Sequence, residues 1–233
     1  LFVPKDSAWE WTEIVMYAQC THRKVKLLAD QKDWYIYEPH WKVINDTVEG
    51  SIGSKPSGDI NLSVEYFSQR DNYRDADRTC YSSSNAMLLN YLKPESIEND
   101  DEYIHTVFDI GDTTEAWVQL AALKAYGVEA KFLQSAGWDD VDRLLLNDIC
   151  VPIGILHHGT IEAPTGGHWI VVKGVTADGK GMRVHDPFGR LNLDTGVYES
   201  ANGCDLIYDK AKLTRRWSVA SAHDGWLIEA IHW

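Results

Sequence analysis

The sequence has no hydrophobic run long enough to form a membrane span. A spanning helix needs about 20 consecutive apolar residues, whereas the apolar runs here are only as long as single strands. The N-terminal residues 1–5 also lack the basic region and hydrophobic core of a secretory signal peptide. We therefore expect no membrane span and no signal peptide in this sequence, and the lack of an initiator Met fits the removal of upstream sequence.

Basic residues are also scarce. Lys and Arg number 22 against 35 Asp and Glu, which gives a formal net charge of −13. A surface with this charge repels the phosphate backbone of nucleic acids. We therefore expect no nucleic-acid partner.

Closely spaced cysteines are missing. The four cysteines are widely separated and form no CxxC pair, which argues against a zinc knuckle and against a disulfide framework. We expect Cys150 to be a buried strand residue. We expect Cys20 and Cys204 to be structural, because neither has a helix start or basic neighbours that would activate its thiol.

No group of residues has the spacing expected of a metal site. His157 and His158 are adjacent, so they would point to opposite faces of a strand, and they lack further ligands at strand or helix spacing. Asp139, Asp140 and Asp142 fit the N-terminus of a helix, where the helix dipole favours negative charge, better than a calcium loop. We expect neither a metal nor an organic cofactor.

The first 60 residues differ in character from the rest. Short runs rich in β-branched and aromatic residues predict three strands, at 14–17, 25–28 and 34–37. Gly, Ser and Pro are concentrated at 50–58, which is typical of a linker. We therefore predict a small β-rich module at 1–60, followed by a larger domain at 61–233.

Four tryptophans are concentrated in the predicted module: Trp9, Trp11, Trp34 and Trp41. Such aromatic density is typical of a hydrophobic core, of a surface that stacks on sugars or of a subunit interface. All three roles remain open for these side chains.

The larger domain begins with helical patterns and continues with strands. Helices are predicted at 85–92, before Pro94, then from Thr113 or Thr114 to Gly127, and at 138–147. Strands are predicted at 151–156, 169–175 and 182–185, with a hairpin turn at 177–180 and two more strands between 217 and 233. Helices followed by an antiparallel sheet predict an α+β domain.

Cys80 is the first candidate for chemistry. It lies just before a helix that we expect to start within residues 82–85, so its thiol would feel the positive end of the helix dipole, which favours the thiolate. A small buried residue at a helix start is the alternative explanation of the same position.

His168 and Asp186 strengthen the catalytic interpretation of Cys80. His168 opens one strand of the predicted hairpin, and Asp186 ends the other because Pro187 cannot extend the ladder. A loop centred near Ala177 would place the two residues opposite each other, whereas a tight turn at 178–179 would place Asp186 opposite Val171. Either register brings the side chains close together, so that the acid can orient the imidazole.

Gln69 supplies a fourth role. Attack by a thiolate on a carbonyl needs N–H donors aimed at the developing oxyanion, and each donor is worth about 10²–10³ in rate. The amide of Gln69 and the backbone N–H of Cys80 would provide two such donors.

These segments together resemble a known family. Residues 66–72 (YFSQRDN), Cys80 with 86–92 (AMLLNYL), 167–172 (GHWIVV) and 184–189 (VHDPFG) are similar to the motifs of bacteriocin-processing, double-glycine-type cysteine peptidases and their relatives. The resemblance covers about residues 64 to 190. It implies a papain-like fold with Cys80, His168, Asp186 and Gln69 in the roles given above.

The resemblance also suggests substrates. Phage and bacterial relatives imply a peptidoglycan stem peptide as substrate, with wall or assembly contacts through the N-terminal module, and a polypeptide precursor is the next choice. We expect Tyr81, Gly167 and Trp169 to contact substrate. The family usually has Gly after its cysteine, where this chain has Tyr81. This departure motivates an alternative, a catalytically slow or inactive papain-like module of a phage particle or cell envelope.

Overall fold

The chain divides into two compact units, Leu1–Ile52 and Gly53–Trp233. The structure, a computed structural model, describes residues 9–17, 20–27, 33–37 and 58–233. Most of the predicted linker at 50–58 lies outside these residues, as does Trp41. The division into a module at 1–60 and a domain at 61–233 stays a prediction.

The described part of the first unit is an antiparallel sheet of three strands: β1 (Trp9–Tyr17), β2 (Cys20–Leu27) and β3 (Asp33–Tyr37). The strands lie in sequence order, and each pairs with the next. All three overlap the runs of β-branched and aromatic residues that predicted strands in this region.

Within residues 58–233 there are five α-helices: α1 (Cys80–Leu92), α2 (Asp100–Ile110), α3 (Ala116–Ala125), α4 (Trp138–Leu146) and α5 (Lys210–Trp217). The same residues form nine strands: β4 (Ile60–Asn61), β5 (Glu129–Ala136), β6 (Val151–His158), β7 (Thr165–Val175), β8 (Gly181–His185), β9 (Arg190–Asn192), β10 (Val197–Ser200), β11 (Leu206–Asp209) and β12 (Gly225–His232). No helix in this described range is both long and apolar enough to cross a membrane.

A seven-stranded antiparallel sheet forms the centre of this unit. Its strand order is β11-β8-β7-β6-β12-β5, and β4 pairs with β7. β9 and β10 form a separate two-stranded hairpin. The buried apolar residues of α1, among them Met87 and Leu89, belong to the same core cluster as Val171 of β7. Helices combined with an antiparallel sheet confirm the predicted α+β class.

The hairpin of β7 and β8 combines a tight turn with a bulge. Close to the turn, Val175 pairs with Met182, as expected for a turn centred on residues 178–179. A register shift between Val172 and Gly174 then brings His185, not Asp186, opposite Val171. The register predicted for a tight turn is therefore correct close to the turn, but it is wrong by one residue at the far end of the hairpin.

The C-terminal region corrects one prediction. Two strands were expected between 217 and 233, but Trp217 ends helix α5 and only β12 is a strand there. Leu213, Arg216 and Trp217 are buried at helical spacing, and the Asp209 side chain accepts a hydrogen bond from Lys212 N (2.9 Å) at the start of the helix. The β propensity of Trp217 is overridden by this amphipathic pattern.

Helix α1 starts earlier than predicted. It begins at Cys80, so Ser82, Ser83 and Ser84, which were expected at its start, lie buried inside it. The Ser82 hydroxyl bonds the Thr113 hydroxyl (2.7 Å) and the Ser83 hydroxyl bonds Asp100, whereas the Ser84 hydroxyl is buried without a partner. The helix predicted to start at Thr113 or Thr114 is α3, which starts at Ala116 with Glu115 as its N-cap.

A buried carboxyl group joins α2 to α1. Asp100 Oδ2 accepts a hydrogen bond from the Ser83 hydroxyl (2.5 Å), and the Asn72 amide donates to the same hydroxyl (3.0 Å). Burial raises the pKa of Asp100 to about 6, although the Ser83 bond acts in the opposite direction. The native state therefore holds the proton of Asp100 more tightly than the unfolded chain does.

This shift predicts a pH-dependent effect of Asp100→Asn. A raised native pKa contributes stability that is complete below the ordinary value of 3.8 and is lost as pH rises through about 6. The neutral amide does not undergo that loss. Between pH 4 and pH 8, wild type should therefore lose about 2 kcal/mol of unfolding free energy relative to Asp100→Asn. Urea unfolding at the two pH values measures the difference. Asp101→Asn removes the same charge from the same helical turn and serves as the control. Equal pH dependence of the two variants would contradict the prediction.

Candidate active site

Cys80 is the first residue of α1. Its side chain is partly exposed and its thiol is free. The first backbone N–H groups of a helix have no partner within the helix and carry the positive end of its dipole. Cys80 therefore combines an accessible sulfur with an electropositive backbone.

His168 and Asp186 are brought together by the β7–β8 hairpin. His168 lies within β7, and Asp186 follows the end of β8 directly. His168 Nε2 bonds Asp186 Oδ1 at 2.8 Å, and the two side chains are only 2% and 0% exposed. A buried bond of this length fixes the orientation of the imidazole ring.

The Asp186 carboxylate has a full set of hydrogen-bond donors. In addition to His168, the Phe188 N–H donates to Oδ1 (3.0 Å) and the Tyr208 hydroxyl donates to Oδ2 (3.1 Å). The Tyr208 oxygen in turn accepts the Leu191 N–H (2.8 Å). Three donors hold the carboxylate in place, which explains how an acid can be buried at this position.

His168 is electrostatically coupled to Cys80 as well as to Asp186. Burial lowers the pKa of His168, but the charge of Asp186 and the charge and hydrogen bond of Cys80 outweigh burial and raise it to about 10. Because Nε2 bonds the carboxylate, Nδ1 is the ring nitrogen left for the sulfur. The arrangement favours an imidazolium at neutral pH.

Gln69 lies in a short 3-10 turn, Gln69–Asp71, and is buried. Its Nε2 donates to the Ala76 carbonyl (2.6 Å), which uses one of the two amide hydrogens, and its Oε1 is buried without a hydrogen-bond partner. The backbone N–H of Gln69 donates to the Pro187 carbonyl (3.0 Å). The Gln69 loop is thus attached directly to the loop that follows Asp186.

Two further contacts join these loops. The Tyr66 hydroxyl donates to the Asp186 carbonyl (3.2 Å), and the Arg70 guanidinium lies over the Phe188 ring, 3.9 Å from its centroid. The segments 66–72 and 184–189, which are far apart in sequence, therefore form one connected structure.

The three predicted substrate contacts occupy different environments. Tyr81 and Trp169 stack on each other with ring centroids 3.7 Å apart and planes within 3°, and they are 3% and 8% exposed. Both rings are packing partners in this structure. Gly167 is exposed, and a side chain at this position would meet open space.

Three residues around the site were not predicted to belong to it: Tyr208, Tyr198 and His157. Tyr208 comes from β11, which was not predicted, and its contact with Asp186 depends on the pairing of β11 with β8. Tyr198 and His157 pack against the His168 ring. For His157, the adjacent histidines 157 and 158 were the feature of the sequence that could have indicated a role. Their ring centroids are 3.9 Å apart, so the two rings pack together instead of pointing to opposite faces.

Two clusters of the described residues have ligand atoms close enough for a metal ion: His185 with Cys204 and Asp205, and Asp139 with Asp140 and His223. Most of these atoms already have partners. His185 bonds Val64 O and Asp205 N with its two ring nitrogens, and Lys173 pairs with Asp205 (2.6 Å).

Comparisons with known proteins bear on the whole arrangement. Residues 61–222 match the sequence profile described as the Peptidase_C39 like family. Among solved structures, the chain is similar to a double glycine motif protease from an AMS/PCAT transporter in complex with the leader peptide, with 20% identity and a TM-score of 0.44. That similarity covers 74% of this chain and 94% of the other. No curated protein matches the sequence significantly.

Proposed function

Because this chain belongs to the peptidase C39-like family, we propose that it hydrolyses peptide bonds through a triad of Cys80, His168 and Asp186. Family membership confirms the resemblance found at residues 64–190. It also identifies the chain as a cysteine peptidase. The assignment of the individual residues is our proposal, and so is the substrate.

One observation is the main support for this assignment of the triad. The buried 2.8 Å bond between His168 and Asp186 orients an imidazole whose remaining nitrogen is available to the Cys80 sulfur. Proton transfer from the thiol to this ring produces a thiolate and an imidazolium, which the Asp186 carboxylate stabilises.

The mechanism follows from these positions. The Cys80 thiolate attacks the scissile carbonyl, and the free N–H of Cys80 and the remaining amide hydrogen of Gln69 stabilise the oxyanion. His168 then gives its proton to the leaving amine, which departs and leaves an acyl-enzyme on the sulfur. Water, deprotonated by His168, releases the acyl group and restores the thiol.

We propose a peptidoglycan stem peptide as the substrate, with a polypeptide precursor as the second choice. The concentration of tryptophans in the N-terminal module supports the first choice, since aromatic rings bind sugars by stacking. Release of new amino groups from purified peptidoglycan, compared with cleavage of a denatured polypeptide of mixed sequence, separates the two substrates. A catalytically inactive module would act on neither.

Selective labelling tests the thiolate directly. At pH 7, iodoacetamide should modify Cys80 at least about tenfold faster than Cys150 or Cys204, because burial raises the pKa of both other thiols. His168→Ala should remove this advantage. Peptide mapping after timed exposure gives the rate at each cysteine.

The matched control for the labelling is His105→Ala, which removes an exposed histidine from α2. This variant should label like wild type. If Cys80 of the wild-type protein is modified as slowly as Cys204, its thiol is not activated, and that result would favour the catalytically inactive module.

A further inference from the structure

His157 stacks on the imidazole of the proposed triad. The ring centroids of His157 and His168 are 4.8 Å apart, and the ring planes lie within 17° of each other. The other rings that contact His168 meet it nearly at right angles, Tyr198 at 6.0 Å and Phe188 at 6.4 Å. Among the described aromatic contacts of His168, His157 is therefore the one that covers a ring face.

The backbone around His157 is held by a buried cation. Arg216 of α5 donates hydrogen bonds to the carbonyls of Leu156 (2.8 Å) and His158 (3.3 Å), the residues on either side of His157, and to that of Gly159 (2.9 Å). The Arg216 side chain is completely buried. A guanidinium can satisfy several carbonyls at once, so this residue fixes the end of β6 from which His157 projects.

The His157 side chain is anchored too. Its Nδ1 forms a hydrogen bond with the Tyr198 hydroxyl (3.1 Å), and Tyr198 also packs against Phe188 with centroids 4.7 Å apart. Burial lowers the pKa of His157 to about 3, and the neighbouring charges of His168, His158 and Arg216 act in the same direction. His157 is therefore a neutral ring at neutral pH.

We propose that His157 is a positioning residue that holds the His168 imidazolium in the plane where it meets both Asp186 and Cys80. A neutral aromatic face attracts a cation placed over it, and it opposes rotation of the His168 ring away from the sulfur. This inference depends on the proposed triad, because it assigns His157 a role through His168 and none in contact with substrate.

The alternative role of His157 as a metal ligand lacks partners. No group of three ligand residues in the described part of the chain includes His157, and its Nδ1 already bonds Tyr198. A role as a second base is opposed by its stacked geometry, in which the ring of His157 presents its face, not a nitrogen lone pair, to His168.

The experiment compares side chains that fill the site with and without an aromatic face. His157→Leu retains the volume and lacks the ring, and His157→Gln retains a polar group within reach of Tyr198. His157→Phe retains the ring and lacks the hydrogen bond. We expect the rate of Cys80 modification by iodoacetamide at pH 7 to fall about tenfold in the first two variants. In His157→Phe it should stay within about twofold of wild type.

His158→Ala is the matched control, because it removes the adjacent exposed ring, which contacts His157 without packing on His168. It should label at the wild-type rate, and melting temperatures should identify any variant that does not fold. A wild-type rate in His157→Leu or His157→Gln, slow labelling of His157→Phe, or slow labelling of His158→Ala would each overturn the inference. His168→Ala in the same series separates this inference from the proposed function: if its Cys80 keeps the wild-type rate, the triad itself is wrong.

Discussion

Cys80→Ala should abolish peptide hydrolysis. The variant keeps the imidazole and carboxylate pair but has no atom that can form the acyl-enzyme, so turnover should fall by about 10⁴-fold or more. The helix should survive, because alanine is a strong helix former and the cysteine side chain is only partly buried. The measurement is the initial rate of amine release from whichever substrate wild type cleaves.

Cys204→Ala provides the control for this loss. Cys204 is also a partly exposed free cysteine, and its thiol bonds Asp205 and no residue of the proposed triad. Its variant should keep wild-type turnover. Unchanged amine release by Cys80→Ala would show that another group is the nucleophile.

Asp186→Asn should have the second-largest effect. The amide can replace the carboxylate without new clashes, but it removes the negative charge that most strongly raises the pKa of His168. The imidazolium is then less stable, and the ring is oriented by a single amide oxygen in place of a carboxylate, since the other end of the amide is a donor. Changes of this kind lower kcat by up to about 10⁴-fold in serine peptidases, and we expect a loss of about 10²–10⁴-fold here.

The loss of charge in Asp186→Asn has a defined pH dependence. The raised pKa of His168 contributes stability that is complete below its ordinary value of 6.5 and is lost as pH rises through about 10. The advantage of wild type over Asp186→Asn in free energy of unfolding should therefore be largest below pH 6.5 and decrease towards pH 10. Asp178→Asn changes an exposed carboxylate in the turn of the same hairpin and should show no such trend. A constant difference between Asp186→Asn and wild type across this range would contradict the proposed ion pair.

The parts of the site that the sequence could predict depend on local patterns. Gly179 marks the turn between β7 and β8, and the turn alone brings His168 and Asp186 to the same end of the hairpin. The position of Cys80 beside a helix start was likewise predictable, because a polar segment precedes an apolar helical run. These features need only the order of residues over short distances.

The parts that could not be predicted depend on pairing between distant segments. Tyr208 reaches Asp186 only because β11 pairs with β8, and nothing in residues 206–209 indicates that partner. Helix α5 was not predicted, although its buried Arg216 holds the end of β6. The start of α1 was predicted too late, because the bonds of Ser82 and Ser83 inside the helix go to Thr113 and Asp100, which are distant in sequence.

The place of β12 in the sheet has a consequence for biosynthesis. This strand follows every other described element in sequence, yet it lies between β5 and β6 and pairs with both. Until residues 225–232 have left the ribosome, β6 is an open edge and β5 has no place in the sheet. The end of β6 is also the segment that supports His157. A nascent chain therefore cannot complete this sheet before β12 is made, which delays proteolytic activity during translation.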